Sequence, residues 1–405
     1  MPIKLTVISG PHRGKEFEFD GHDTFLVGRT ADAHLQLSFD DPYFSRRQFL
    51  VEVNPPRCRV IDLNSRNGTL LNGARVQTAE VKDGDEVGAG HTVFKVSVTA
   101  PPPAEPPETL DLPAAPAATV ARDSTVDHRP HPDIPGYRIE GELGRGGMGV
   151  VYRATRKRDG SAVALKTITP GREASRKQID RFVRECRILA DLDHPNVVGF
   201  REVGEADGAI FLAMEFVDGP DLNARLRDRG PEGVGTAVRV MCQVLGGLAH
   251  AHAKGFVHRD IKPANILIGR TGTKRVAKLA DFGLARVYET SKLSGLTLQG
   301  EVGGTPAFMA PEQVTHYRQV KPAADQYSAA ATLYMLLTDR LTHDFPRGVG
   351  AQLAHLVTAP PVLICDRRAD IPTELARVIH QALNREPEER YHDVLTPKRE
   401  LMRFA

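Results

Sequence analysis

Three groups of residues in the last two thirds of the chain carry side chains suited to phosphate chemistry. The carboxylate of Asp260 is followed closely by Lys262 and by the amide of Asn265. A second carboxylate, Asp281, comes later, and Lys166 precedes them all at the end of an apolar stretch. Carboxylate and amide oxygens suit Mg²⁺, and a lysine can pair with phosphate oxygens. Such a set could position the phosphates of a nucleotide and accept a proton from an attacking hydroxyl.

A glycine-rich segment precedes Lys166. Residues 144–149 read Gly-Arg-Gly-Gly-Met-Gly, and glycines let the backbone approach phosphate oxygens because no side chain stands between them. Taken alone, the segment fits an ordinary turn or a dinucleotide-binding fold equally well. A dinucleotide fold continues into a helix after its glycines, whereas residues 150–154 have the pattern of a strand. This context disfavours a dinucleotide fold.

A helical pattern lies between Lys166 and the carboxylates. Its apolar residues are Ile179, Phe182, Val183, Cys186 and Leu189. Glu185 projects from the same side as this stripe, so it is placed to pair with Lys166. The alternative is an exposed glutamate on a solvated face, because Arg184 and Arg187 flank it.

The order of these groups resembles that of the protein Ser/Thr kinases. The motifs that match are the glycines of residues 144–149, the strand ending at Lys166, His258-Arg259-Asp260 with Asn265, Asp281-Phe282-Gly283, and Ala310-Pro311-Glu312. The resemblance covers about residues 137–403 and implies an α+β fold of two lobes.

The resemblance assigns a role to each candidate residue. Asp260 would accept the proton of the attacking hydroxyl, and Lys262 would steady the transferred phosphoryl group. The implied catalytic residues are Asp260, Lys262, Lys166 and Glu185, and the implied metal ligands are Asn265 and Asp281.

ATP with Mg²⁺, or with Mn²⁺ in its place, is the cofactor that the resemblance implies. Met214 matches the gatekeeper position, and the backbone of Glu215 and Val217 would face the adenine. The residues expected around the nucleotide are Leu143, Gly144, Gly146, Gly149, Val151, Ala164, Lys166, Met214, Glu215, Val217 and Leu267.

The family's activation segment would run from the Asp-Phe-Gly motif to Glu312. Thr305 matches the threonine that contacts the catalytic aspartate and lysine. Arg259 marks the subclass in which a phosphate on this segment pairs with that arginine and orders the segment. The candidate phosphorylation sites are Thr290, Ser291, Ser294 and Thr297, with Thr297 as the first choice from its distance to Glu312.

Further matches are structural. Asp325 corresponds to a buried aspartate on a central helix, and Arg390 to the usual partner of Glu312. The family's regulatory stack would consist of Leu189, Phe200, His258 and Phe282.

The first hundred residues carry a second signature. Short alternating segments separated by Gly, Asn, Asp and Pro predict an all-β sandwich. Gly28-Arg29, residues 45–48, residues 64–69 and Asn72-Gly73 resemble a forkhead-associated domain, a family that binds phosphothreonine peptides through loops at one end of a sandwich. The implied phosphopeptide-binding residues are Arg29, Ser45, Arg46 and Asn67.

Two features of this resemblance allow more than one interpretation from the sequence. Asn67-Gly68 and Asn72-Gly73 are also typical of hairpin turns. Gln48 stands where the family usually has a histidine that orders the binding loop, so the sequence does not show how this loop is held.

Composition divides the chain. Residues 101–135 hold 10 of the 29 prolines and no aromatic residue, so they predict a partly extended tether without a core. After about Val217, strand patterns give way to a helical stripe at Val238, Met241, Val244, Leu245 and Leu248. The predicted fold is multidomain: a forkhead-associated all-β sandwich at 1–100, a Pro/Ala-rich linker at 101–135, and an α+β bilobal protein kinase domain at 136–403.

Charge and hydropathy exclude several classes of function. The chain has 53 basic and 51 acidic residues, a net charge of +2 that predicts no nucleic-acid or membrane-surface partner. It has no signal-peptide pattern and no run of 18 apolar residues, so no membrane span is expected. Four widely spaced cysteines, Cys58, Cys186, Cys242 and Cys365, predict reduced, buried thiols, and the location expected is cytoplasmic.

The sequence therefore predicts a bacterial-type, non-specific protein Ser/Thr kinase that autophosphorylates. Its expected partners are protein substrates and phosphothreonine peptides, and a transient homodimer is one route to autophosphorylation in trans. A phosphothreonine-dependent scaffold and a small-molecule phosphotransferase are the alternatives. The complete catalytic set argues against the first, and the stretch from Thr305 to Glu312 against the second. The sequence leaves open whether the N-terminal domain binds partners or linker threonines Thr109, Thr119 and Thr125.

Overall fold

The computed structural model of the 405-residue chain describes residues 2–37, 43–55, 57–98, 132–146, 149–168, 176–206, 208–282 and 306–405. Within these ranges, the side chains of residues 177, 178, 181, 185 and 188 are not described. Most of the predicted linker, Gly147 and Met148 of the glycine-rich segment, and all the phosphorylation candidates of the activation segment, with Thr305, lie outside the described residues.

The first domain is the predicted all-β sandwich. Its strands are β1 Ile3–Ser9, β2 Glu16–Phe19, β3 Asp23–Gly28, β4 Leu35–Gln36, β5 Arg47–Asn54, β6 Arg57–Asp62, β7 Thr69–Leu71, β8 Ala74–Val76, β9 Thr78–Val81, β10 Glu86–Ala89 and β11 Thr92–Val98. One sheet has the order β2-β1-β11-β10-β7-β8 and the other the order β4-β3-β5-β6-β9. Alternate residues of β1, such as Ile3 and Leu5, share the buried core between the sheets with Phe49 and Phe94.

Strands β3 and β5 do not follow the simple alternation expected from the sequence. Residues 25–27 and 49–51 are buried without a polar break. One face of each strand belongs to the sandwich core, whereas Leu26, Leu50 and Ile61 on the other face join the core of the second domain. Runs of apolar residues are typical of strands that are covered on both faces. The sandwich therefore packs against the second domain.

The second domain begins with an antiparallel sheet and one helix. These elements are β12 Tyr137–Gly146, β13 Gly149–Arg156, β14 Ala162–Ile168, α1 Arg176–Ile188, β15 Phe200–Ala206 and β16 Ala209–Glu215. The strand order is β12-β13-β14-β16-β15. Helix α1 is the helix predicted from the apolar stripe of residues 179–189, and its Phe182 and Cys186 are completely buried. This small lobe carries Lys166 on β14 and Glu185 on α1.

The larger lobe is mostly helical. Its elements are α2 Leu222–Arg229, α3 Val234–Ala253, β17 Ile266–Thr271, β18 Lys274–Leu279, α4 Pro311–Thr315, α5 Pro322–Thr338, α6 Val349–Thr358, α7 Ile364–Arg367, α8 Thr373–Ala382 and α9 Leu395–Leu401. Every residue of the stripe predicted on α3 is buried. Among the described helices, none has both the length and the apolar character needed to cross a bilayer. The predicted fold class, a β sandwich followed by a two-lobed α+β domain, is confirmed.

The prediction of buried thiols is right for three cysteines and wrong for one. Cys58, Cys186 and Cys242 are buried, whereas Cys365 is exposed. In the short helix α7, Ile364 turns completely into the core, so the next residue along the helix faces outward. Burial, with the nearby charge of Glu52, raises the pKa of Cys58 to about 12.

A buried ion pair fixes α4 to the C-terminal part of the large lobe. Arg390 is 5% exposed, and its Nη1 and Nη2 donate to the carboxylate oxygens of Glu312 at 2.6 and 2.8 Å. The guanidinium carbon also lies 5.1 Å from the centre of the Tyr327 ring. The structure thus joins the two residues that the sequence comparison with the kinases paired.

We expect Arg390→Ala to lower the free energy of unfolding of the large lobe by about 3–5 kcal/mol, because Glu312 would be left as an unpaired, largely buried charge. Urea denaturation followed by circular dichroism measures the change. Arg385→Ala is the control, since Arg385 is 42% exposed in its pair with Glu386, and it should change stability by less than about 0.5 kcal/mol. If both variants lost the same free energy of unfolding, the proposed stabilisation by the Glu312–Arg390 pair would be wrong.

Candidate active site and phosphopeptide loops

The loop that carries Asp260 is held by a completely buried carboxylate on α5. Asp325 accepts hydrogen bonds from the backbone N–H groups of His258 and Arg259, each at 2.8 Å, and lies 2.8 Å from His252 Nε2. Arg259 has a φ of +67°, a left-handed conformation that a non-glycine residue keeps only when its surroundings enforce it. Asp325 supplies that support.

Gln313 on α4 supports the same loop from another side, and sequence reasoning did not single it out. Its Nε2 donates to the carbonyl oxygen of Arg259 at 2.8 Å, and its Oε1 accepts from the Ala310 N–H at 3.0 Å. The available signal was its place directly after Ala310-Pro311-Glu312. A glutamine that is only 3% exposed needs partners for its amide, and here both come from functional segments.

Asp260, Lys262 and Asn265 come together as the sequence predicts. Lys262 Nζ lies 3.0 Å from Asp260 Oδ2. Asn265 Nδ2 donates to the same oxygen at 2.9 Å and to the Asp260 carbonyl oxygen at 2.8 Å. A single 3₁₀ turn, Pro263–Asn265, brings Asn265 back beside Asp260. The carboxylate of Asp260 is therefore fixed in direction by two neighbours.

Lys166 is paired with Asp281. Lys166 is 5% exposed, and its Nζ lies 2.9 Å from Asp281 Oδ1. Burial raises the pKa of Asp281, but the charge and hydrogen bond of Lys166, with the charges of His258 and Lys262, outweigh it and leave this pKa below its ordinary value. The backbone of Glu185 is on α1, but its side chain is not described, so the Lys166–Glu185 pair stays a prediction.

The four residues of the predicted stack also meet. Leu189 and Phe282 belong to one buried cluster, and Phe200 packs against it. The rings of His258 and Phe282 are 4.5 Å apart, nearly edge to face. His258 Nε2 lies 2.9 Å from the carbonyl oxygen of Ala280, directly before Asp281. This contact ties the loop of Asp260 to the segment that carries Asp281.

The residues predicted around the nucleotide lie on neighbouring elements. Val151 pairs with Lys166 across β13 and β14, and Ala164 pairs with Met214 across β14 and β16. Met214 lines a common cavity with Asp281 and Phe282. At Gly149, with a φ of +124°, an added Cβ would lie 1.9 Å from the Thr167 carbonyl oxygen, so the hairpin approaches β14 only because this residue is glycine.

In the connection between the lobes, the side chain of Glu215 makes contacts that the sequence did not predict. Glu215 Oε2 accepts from Lys278 Nζ at 2.9 Å and from the Gly199 N–H at 3.1 Å. Val217 lies against β17, where a Cβ on Gly269 would be 2.8 Å from Val217 Cγ1. These contacts hold the segment of Glu215 and Val217 near Leu267, and Leu143 of β12 stays half exposed.

The predicted phosphopeptide residues lie on loops that are bonded to one another. The Arg29 N–H donates to the Arg46 carbonyl oxygen at 2.8 Å. Ser45 Oγ accepts from the Arg66 N–H at 2.8 Å, which leaves the hydroxyl proton for another acceptor. Asn67 Nδ2 donates to the Tyr43 carbonyl oxygen at 2.7 Å. Arg29, Ser45, Arg46 and Asn67 thus belong to one connected group of loops.

Gly28 explains why the signature begins with Gly-Arg. A Cβ at this position would lie 2.2 Å from the carbonyl oxygen of Arg46, so only glycine allows the two loops to approach. The side-chain Nε of Arg29 is buried and has no hydrogen-bond partner among the described residues. The guanidinium group of arginine is a charge-assisted donor, which suits an anion.

Gln48, which stands where the family usually has a histidine, holds the loops of Ser45 and Asn67 together. It is completely buried; its Oε1 accepts from the Ser45 N–H at 2.8 Å and its Nε2 donates to the Gly68 carbonyl oxygen at 2.9 Å. One amide thus joins the loop of Ser45 to the loop of Asn67.

The two Asn-Gly pairs differ. Asn72-Gly73, with φ values of +50° and +83°, is the predicted two-residue turn between β7 and β8. Asn67-Gly68 does not connect two paired strands directly, because it lies in the longer stretch from β6 to β7. The turn prediction is therefore confirmed only for Asn72-Gly73.

We expect Gln48→Ala to destabilise the sandwich by about 1–3 kcal/mol, because the Ser45 N–H and the Gly68 carbonyl oxygen lose a buried partner. Urea denaturation gives the free energy, and hydrogen exchange at the Ser45 amide should become faster. Gln77→Ala is the control, since its side chain makes an exposed 3.3 Å contact with Asn64 Oδ1. Unchanged exchange at Ser45 would show that Gln48 does not order the loop.

Comparison with known families agrees with this architecture. The protein kinase domain matches residues 137–396, and the FHA domain matches residues 25–90. The structure of Rad53 residues 1–466 in complex with AMP-PNP covers 99% of this chain and 100% of its own, with 20% identity and a TM-score of 0.54, a likeness of fold alone. The Mycobacterium tuberculosis PknI kinase domain is 28% identical, with a TM-score of 0.52, over 67% of this chain and 98% of its own.

Curated relatives resemble the second domain. Serine/threonine-protein kinase pkn3 of Myxococcus xanthus is 37% identical over 259 residues, which are 63% of this chain and 47% of that protein. Serine/threonine-protein kinase PknF of Mycobacterium tuberculosis is 40% identical over 261 residues, 63% of this chain and 53% of that protein. The chain thus spans about half the length of these relatives. Because the match to the kinase domain covers well over half of its residues, the chain belongs to the protein kinase family, with an FHA domain ahead of the kinase domain.

Proposed function

We propose that this protein is a Ser/Thr protein kinase that transfers the γ-phosphoryl group of ATP to Ser or Thr hydroxyls of proteins, including its own. The observation that carries the proposal is the convergence of Asp260, Lys262 and Asn265 beside the Lys166–Asp281 pair. Five residues from three separate parts of the sequence meet in an arrangement that suits phosphoryl transfer. Lys262 after the catalytic aspartate favours Ser and Thr as substrates.

The donor atoms present fit ATP with Mg²⁺ or Mn²⁺. Both amide hydrogen bonds from Asn265 Nδ2 go to Asp260, which leaves the amide oxygen of Asn265 for a cation. Asp281 adds a carboxylate, and hard cations prefer such oxygens. When bound, the metal ion neutralises charge on the phosphate oxygens. Lys166 can change partner from Asp281 to a phosphate oxygen, because both are anionic acceptors.

The protein's own groups then account for the chemistry. Asp260 is fixed by Lys262 and Asn265, so it can accept the proton of a substrate hydroxyl as that oxygen attacks the terminal phosphorus. Lys262 steadies the negative charge on the transferred group. Glycine backbone in the β12–β13 hairpin can approach the phosphates without steric hindrance. Catalysis is therefore mostly positioning and charge compensation.

The FHA domain is proposed to bind phosphothreonine peptides. The guanidinium group of Arg29, the hydroxyl of Ser45 and the exposed Arg46 can donate to a phosphate group, and Asn67 can hold the peptide backbone. Autophosphorylation, a transient homodimer and a cytoplasmic location stay predictions. The domain limits at residues 100 and 135 stay predictions too.

We expect the full chain with Mg-ATP to phosphorylate a generic Ser/Thr peptide and itself. Asp260→Asn should lower the rate by about 10²–10⁴-fold because the proton acceptor is lost, and Lys166→Met or Asp281→Asn should abolish transfer. Asp228→Asn, an exposed carboxylate on α2, is the matched control and should keep the wild-type rate. Mass spectrometry of the products would show whether Thr297 is modified.

Undiminished phosphate incorporation by Lys166→Met and Asp281→Asn would overturn the assignment of the active site. A wild-type chain that binds phosphothreonine peptides but transfers no phosphate would favour the scaffold alternative.

We expect Arg29→Ala to weaken phosphothreonine-peptide binding by about 1.5–3 kcal/mol, roughly ten- to a hundredfold, the value of hydrogen bonds to a charged group. Calorimetry with phosphorylated and unphosphorylated peptides measures the change, and basal phosphorylation of a generic peptide should stay the same. Arg57→Ala, an exposed arginine at the start of β6, is the control. If Arg29→Ala binds the phosphorylated peptide with wild-type affinity, the assignment of the N-terminal domain as a phosphothreonine-binding domain is wrong.

A further inference from the structure

Four apolar side chains on the outer surface of the second sheet form what we call the docking face: Leu26, Leu50, Ile61 and Leu63. Each is at most 2% exposed, and all four belong to the buried cluster of the kinase domain and not to the sandwich core. Burial of such a side chain contributes about 1.5–3 kcal/mol. Without the kinase lobe, this apolar surface would face water.

Polar contacts surround the docking face, and most come from the end of α4 and the residues after it. The rings of His316 and His34 stack with centroids 4.6 Å apart, and His316 Nε2 lies 2.7 Å from the Asp32 carbonyl oxygen. The Tyr317 N–H donates to Thr24 Oγ1 at 3.3 Å. Further contacts join Arg318 Nε to the His22 carbonyl oxygen at 3.0 Å and to Asp23 at 3.4 Å.

The loop that begins at Arg29 is part of this interface. Asp32 and His34 lie in it, between β3 and β4, and both touch His316. Arg29, a proposed phosphate-binding residue, therefore lies at one end of a loop whose other end contacts the kinase lobe.

Arg47 makes a second connection from the phosphopeptide loops to the kinase lobe. Its Nη2 lies 2.7 Å from Asp32 Oδ2 and 3.5 Å from Glu386 Oε1. Its Nη1 donates to the Val357 carbonyl oxygen in the last turn of α6 at 3.3 Å, where a helix leaves carbonyl groups without partners. Arg47 directly follows Arg46, so the segment that contacts the kinase lobe continues the segment proposed to contact phosphate.

We propose that docking on the kinase lobe orders the phosphate-binding loops, so that the kinase lobe is a structural part of the phosphothreonine site. This inference rests on the proposed binding of phosphothreonine peptides by the FHA domain. Asp32 and Arg47 act as positioning residues, because they contact the kinase lobe and hold the loops of Arg29 and Arg46. Loops that are already ordered lose less conformational entropy when the peptide binds. By linkage, a bound peptide must favour docking by the same factor.

One glycine offers a way to open or to lock the interface. Gly350 on α6 faces Thr78 of β9; a Cβ added there would lie 2.0 Å from Thr78 Oγ1 and 3.0 Å from Thr78 Cβ. A larger side chain at this position must push the two domains apart. A cysteine at each of these two positions would bring the Cβ atoms close to the separation of about 3.5–4.5 Å that a disulfide needs.

The opening experiment uses the full chain and a phosphothreonine peptide selected from a random library on the wild type. Gly350→Gln acts from the kinase side and Leu50→Asp from the sandwich side. Each should enlarge the radius of gyration measured by X-ray scattering and raise the peptide Kd about tenfold, a typical coupling factor. Gly233→Gln is the control, because an added Cβ there meets nothing within 4 Å, and it should change neither quantity.

The locking experiment combines Thr78→Cys with Gly350→Cys in a Cys365→Ser background, which removes the one exposed thiol among the four cysteines. Oxidation should give an intramolecular disulfide and a Kd at or below the wild-type value, and reduction should reverse any change. A disulfide-linked dimer would overturn docking within one chain. Peptide binding that is weaker in the locked chain would overturn the proposed ordering of the loops.

The two proposals fail in different ways. If the wild-type chain binds no phosphothreonine peptide, the proposed binding function is wrong. The proposed coupling between docking and peptide binding is then wrong too, whether or not the disulfide forms. If the wild type binds and both opening variants expand without a change in Kd, the binding function stands and the coupling is wrong.

Discussion

A buried carboxylate on the central helix of the large lobe is the constraint on which the active site depends. Asp325 is completely buried and accepts two backbone hydrogen bonds from the loop before Asp260. An ionised group in the interior is tolerated only when hydrogen bonds replace its water, so the loop and the helix stabilise each other. The left-handed Arg259 follows from this arrangement, and Lys262 and Asn265 then fix the direction of the Asp260 carboxylate.

Helix α4 connects three parts of the protein that are far apart in sequence. Glu312 pairs with Arg390, Gln313 holds the carbonyl oxygen of Arg259, and His316 at its end touches the FHA domain. Although it is one of the shorter helices, α4 and the residue after it contact the C-terminal region, the catalytic loop and the FHA domain. The contact of His316 with the FHA domain and the contact of Gln313 with the catalytic loop thus lie three residues apart on one short segment.

The FHA domain shows how a glutamine can order two loops at a position where the family usually has a histidine. Gln48 has an amide donor and an amide acceptor on one rigid group, so it can join two loops as an imidazole could. Its two hydrogen bonds, to Ser45 and Gly68, are made in a site without exposure to water. The two apolar residues that follow it, Phe49 and Leu50, face opposite sides of the sheet, one into the sandwich core and one into the core of the kinase domain.

The sequence by itself determined the local elements and the chemistry. The motifs around Lys166, Asp260 and Asp281 identified the candidate site through their resemblance to the protein kinases, and the stripe on α3 identified buried positions from helical periodicity alone. The tertiary structure decided which groups meet: Lys166 with Asp281, Gln313 with Arg259, and the docking face with the large lobe. Periodicity shows which face of a strand or helix is apolar, but not which surface will cover it. Partners distant in the sequence are chosen only when the whole chain packs, since burial and hydrogen bonding must be satisfied together.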